Sequence, residues 1–98
     1  MTWTLVEREG YGFYFQYESL DGVTRNKFND FKKILVETSD PRTLANCISC
    51  PIHPSHCVFR IPDTEDHFLA IEIFDSSNPH SQHGECIQLV HVGKLSNW

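Results

Sequence analysis

Apolar and polar side chains alternate at a period of two near the N-terminus, where Trp3 and Leu5 precede Glu9-Gly10-Tyr11-Gly12 and then Phe13, Phe15 and Tyr17. That spacing predicts two antiparallel strands joined by a short turn. The period then changes. Beyond Leu20-Asp21-Gly22, residues Phe28, Phe31, Ile34 and Leu35 fall on one face of a helix and Arg25, Lys32 and Lys33 on another, with Thr24 as the expected N-cap. Asp40-Pro41 is a second start signal and predicts a short second helix with Leu44, Cys47 and Ile48 on one side, stopped by Pro51 and Pro54. Three strands follow by alternation: Cys57, Phe59, Ile61; then Leu69, Ile71, Ile73; then Ile87, Leu89, with His91 falling on that same side. The expected fold is a single α+β domain over residues 1–98. Its single, mostly antiparallel sheet has about five strands, in the order β-β-α-β-β-β, packed on one long helix.

At 98 residues and 40% hydrophobic content, the chain suits one small core. Seven Phe, two Trp and three Tyr help that core close, because each large ring buries much area. No apolar run approaches the roughly 20 residues that span a bilayer. The opening Met-Thr-Trp-Thr-Leu-Val-Glu-Arg lacks the charged and apolar regions of a secretory signal. A cytoplasmic location is therefore expected, with thiols kept reduced and no disulfides.

All four cysteines and all six histidines lie between Cys47 and His91. Cys47 and Cys50 have the Cys-x-x-Cys spacing of a zinc turn, but His53, His56, Cys57, His80, His83 and Cys86 supply only incomplete second pairs. The competing reading, favoured here, is that Cys47, Cys57 and Cys86 are small buried hydrophobes, so no metal and no cofactor is expected. His80 and His83 sit in the long segment between the last two strands, with Asp75 and Glu85 near them as ring-orienting carboxylates. A small hydrolase or nuclease using these histidines is a further alternative, but no nucleophile or phosphate motif accompanies them, and no catalytic residue is assigned.

The net charge is −5, and most of the excess lies in the second half of the chain. Neutralising a phosphate backbone takes clustered Lys and Arg, and this acid excess disfavours it, so direct nucleic-acid binding is not expected. A basic protein partner is, such as a toxin or a nucleic-acid-processing enzyme. The candidate contact residues are the carboxylates of Asp63, Glu65, Asp66, Glu72, Asp75 and Glu85, expected along one edge, with Tyr11 and Tyr14 as aromatic anchors. In size, charge and class the profile resembles bacterial immunity proteins that neutralise toxin nucleases, and phage-encoded inhibitors. That resemblance implies an inhibitor that occludes a basic active site.

Overall fold

The computed structural model describes residues 3–7, 10, 12–49, 56–75 and 85–97. Strand β1 (Thr4–Glu7) leads into a short helix α1 (Phe13–Glu18) and a long helix α2 (Gly22–Glu37). A 3-10 turn (Pro41–Thr43) then precedes β2 (Cys47–Ser49), β3 (His56–Arg60), β4 (Phe68–Phe74) and β5 (Cys86–Gly93). The class is α+β, with one five-stranded sheet in the order β1-β5-β4-β3-β2. β1 runs parallel to β5, and the other three pairings are antiparallel.

The segment expected as the second strand of a hairpin is helical. Phe13, Phe15 and Tyr17 fit a period of two, yet Phe13, Tyr17 and Leu20 fit a helical spacing of four and three equally well, and these three pack on the core. Phe15 is left 75% exposed. Gly12 enters α1 with φ 71°, a left-handed conformation that glycine adopts without a Cβ penalty.

Helix α2 begins one turn earlier than Thr24 suggests. Asp21 is the N-cap, accepting a hydrogen bond from the Thr24 N–H at 2.7 Å, and that backbone bond holds the Asp21 carboxyl below its ordinary pKa. The buried stripe is Thr24, Phe28, Phe31 and Leu35. Ile34, expected on the same face, is 48% exposed because the stripe follows four-, three- and four-residue steps that pass it by. Phe31 meets Phe59 of β3 at 5.5 Å between ring centroids, and Phe28 meets Phe13 at 6.0 Å and Tyr17 at 5.6 Å. Trp3 ties the start of β1 to the end of α2: its backbone N–H donates to Val36 O and its indole N–H to Thr38 O, both at 2.9 Å.

The short second helix reduces to the 3-10 turn. Asp40 caps it by accepting from the Arg42 N–H, and Leu44 then leaves helical backbone geometry. Cys47 and Ile48 pair instead with Phe59 and Val58 across β2 and β3. An unpaired strand edge on β3 offers these residues ladder hydrogen bonds that a single isolated helical turn does not.

The alternation of the last three strands stands as read, with Cys57, Phe59, Ile61, Leu69, Ile71, Ile73, Ile87 and Leu89 all in the core under α2. The end of β5 departs from it, at His91 and Val92. Opposite the Ala70/Ile71 step, β5 carries an extra residue, so that Leu89 pairs with Ile71 while His91 pairs with Ala70. This bulge at Val90 sends Val92 into the core and turns His91 onto the far face, away from Ile87 and Leu89. That face is closed along β4 rather than open, since Ala70, Glu72 and Phe74 are at most 8% exposed.

Replacing Phe31 with alanine is expected to cost about 3–5 kcal/mol of unfolding free energy, whereas Ile34→Ala is expected to change it by less than about 1 kcal/mol; guanidinium unfolding monitored by circular dichroism checks both.

Candidate functional site

β1 covers the outer edge of β5 only from Cys86 to Leu89. Beyond that point α1 takes its place. Gln16 completes the edge: its side-chain oxygen accepts from the Val92 N–H at 3.1 Å, and its amide meets His91 Nδ1 at 3.1 Å. Between α1 and this end of β5 lies a groove of ≈500 Å³. Its apolar walls are Phe15, Leu20 and Val92, and its polar lining is Gln16, Ser19, His67 and Lys94. Gly93 also lines it, at φ 120° and with nothing within 4 Å of where a Cβ would stand. Tyr14, 59% exposed, meets Phe15 edge-on at 5.9 Å beside the groove.

The turn between β3 and β4 brings acidic groups to the same end of the sheet. Asp66 bridges two groove residues, with one carboxylate oxygen 3.1 Å from His67 Nδ1 and the other 3.6 Å from Lys94 Nζ. Asp63 turns the chain with φ 63°, and its carbonyl accepts from Lys27 Nζ at 2.7 Å. Glu65 lies exposed between them. The turn is pinned by Thr64, whose hydroxyl donates to Ile61 O at 2.7 Å.

The acidic residues expected along one edge do not all gather there. Asp75 and Glu85 lie at the opposite end of β4, about 20 Å away by strand rise. Asp75 binds Arg42 at 3.1 Å, as does Asp40. Hydrogen bonds to those two carboxylates outweigh the burial that opposes the Arg42 charge, and its pKa is raised. Glu72 is buried on the far face of the sheet, with its Oε1 3.3 Å from His56 Nε2. Tyr11, Cys50, His53, His80 and His83 lie outside the described residues.

Among the thiols, Cys57 and Cys86 are buried, and Cys47 packs against the core from β2. Burial, with Cys47 as a close neighbour, pushes the Cys57 thiol up to about 11. Among the described residues no group of three His, Cys, Asp or Glu side chains is placed to hold a metal ion.

The sequence reading gave no role to Gln16 or His67, and it weighed His56 only as an incomplete zinc ligand, without its Glu72 partnership. The signal for the last was available only through register, which sets His56 opposite Glu72. His91 shares that face, and burial together with the His56 charge holds its pKa below the ordinary histidine value of 6.5. The folded chain thus favours the neutral ring, and on acidification the unfolded chain takes up the proton first. Stability is therefore expected to fall as pH drops below about 6.5, levelling off beneath the depressed pKa of the folded state. A pH series of chemical unfolding curves, paired with an NMR titration of His91, checks this, and His91→Gln removes that portion of the slope.

The fold has a counterpart among solved structures. In the crystal structure of the archaeal RelE-RelB complex from Pyrococcus horikoshii OT3, one chain superposes with a TM-score of 0.63, covering 96% of this chain and 96% of that one at 14% sequence identity. No protein-family model matches the sequence, and no curated protein does either.

Proposed function

We propose that the chain is a small acidic protein-binding module, an inhibitor-type protein that acts by occluding a basic partner. The observation that carries this reading is the joining, at one end of the sheet, of the acidic turn Asp63, Glu65 and Asp66 with the exposed rings of Tyr14 and Phe15. Carboxylates beside protruding aromatics combine electrostatic steering with an apolar anchor, the two features that fast and tight protein capture uses. The net charge of −5 points away from nucleic acid and toward a protein. The superposition with a chain from a two-protein assembly, RelE-RelB, is in keeping with a partner-dependent role. A toxin or a nucleic-acid-processing enzyme, either of which needs a basic active site, is the partner class that best complements this surface, and the cytoplasm is where it would be met. Glu72, Asp75 and Glu85 fall outside the contact.

A second reading is favoured by one pair. The His56 imidazole and the Glu72 carboxylate, 3.3 Å apart on the far face of the sheet with His91 nearby, have the make-up of a proton-transfer site in a small hydrolase or nuclease. The purified chain would then cleave an RNA oligonucleotide, and His56→Gln and Glu72→Gln would each abolish the cleavage.

Co-expression with the product of the adjoining gene, followed by calorimetry of the complex, tests the binding reading. The combined Asp63→Asn, Glu65→Gln, Asp66→Asn variant is expected to bind about tenfold more weakly at low salt, from three exposed pairs at roughly 0.5 kcal/mol each, with the difference shrinking at high salt. An affinity that ignores both salt and these charges overturns it.

A further inference from the structure

Resting on the protein-binding reading, we infer that the groove between α1 and the end of β5 is a socket for a partner segment that sets an aliphatic side chain beside a lysine or arginine. The groove's size is that of a small ligand site, and ≈500 Å³ accommodates a few side chains rather than a whole helix or a nucleic-acid duplex. Leu20 and Val92, at 7% and 1% exposure, back the groove from the core, and Phe15, 75% exposed, supplies its accessible apolar surface. That exposed ring is the surface an entering aliphatic group would cover. Gly93 keeps the lining open there, since any side chain would project into the space and strain its backbone.

The rim selects the charge. Glu18, Asp21, Asp63, Glu65 and Asp66 are exposed around this end of the molecule, against Arg25, Lys27, Arg60 and Lys94. Each of these cations already has a neighbour, and Arg60 lies 5.5 Å over the Phe68 ring. Arg25 donates to the carbonyls of Glu18 and Leu20 and lies 5.3 Å over the Tyr17 ring; Lys27 donates to Asp63 O; Lys94 pairs with Asp66. Carboxylates therefore outnumber cations at the rim by five to four, with three of the acids gathered in the turn at Asp63, Glu65 and Asp66. A phosphate would meet net repulsion, and a guanidinium or ammonium group net attraction.

The test uses the full chain, labelled with nitrogen-15, and three capped dipeptide amides: acetyl-Leu-Arg, acetyl-Leu-Glu and acetyl-Gly-Arg. Acetyl-Leu-Arg amide is expected to shift the Ser19, Val92, Gly93 and Lys94 amides saturably, with each of the other two about tenfold weaker. Phe15→Ala, at an exposed position that leaves the core intact, is expected to weaken acetyl-Leu-Arg amide, and Glu65→Lys to reduce its advantage over acetyl-Leu-Glu amide. Equal responses to Arg and Glu peptides, shifts centred elsewhere, or a stronger response to adenosine monophosphate than to any peptide would overturn the socket. If the peptides fail while the acidic-turn variant still weakens the natural complex, the socket falls and the binding reading stands. If the peptides bind as expected while the natural complex ignores the acidic turn, the socket survives the loss of that reading.

Discussion

The stripe of Phe28, Phe31 and Leu35 on α2, pressed onto Phe59, Ile71, Ile73 and Ile87, is the contact on which the rest of the chain is hung. It is the long helix's one apolar stripe, and a sheet this small needs such a cover to exclude water from one face. Because α2 is held there, α1 can only lie beside its N-terminal half, where Phe13 and Tyr17 reach Phe28. That placement brings Gln16 to the bare stretch of β5 and opens the groove between them. The acidic turn arrives at the same place because β3 and β4 are joined at that end of the sheet. Packing chosen for the core thus decides which polar groups meet outside it.

Where the apolar period was long, the elements could be read directly: α2 and the strands containing Phe59, Ile71 and Leu89 follow from alternation or helical spacing alone. Where the segment was short, two periods fitted the same residues. Phe13, Phe15 and Tyr17 satisfy a strand, and only tertiary contact with Phe28 decides for the helix that uses Phe13, Tyr17 and Leu20. Cys47 and Ile48 were equally ambiguous, and the open edge of β3 decided for a strand. The site was legible in its ingredients, the acidic turn and Tyr14, but not in its assembly. Which carboxylates share a surface depends on strand direction, and that separates Asp75 and Glu85 from Asp66.

Two charge environments divide the molecule. At one end, exposed carboxylates surround a groove with apolar walls, with Asp66 paired to His67 and Lys94. At the other, Asp40 and Asp75 are turned toward Arg42, and on the far face Glu72 is turned toward His56. Acidic residues that look interchangeable in a charge tally thus serve different ends: some stabilise the fold internally and others set the field outside.

The bulge at Val90 reaches beyond local geometry. By offsetting the phase of β5 by half a period, it lets one strand serve two masters: an oily lining before the offset and again after it, with an imidazole tucked between on the other side. Were Val90 to pair opposite Ala70 instead of looping out, every residue after it would exchange inside for outside, dragging His91 toward the hydrocarbon interior and expelling Val92. The facing of the tail therefore hangs on one residue being held out of the ladder.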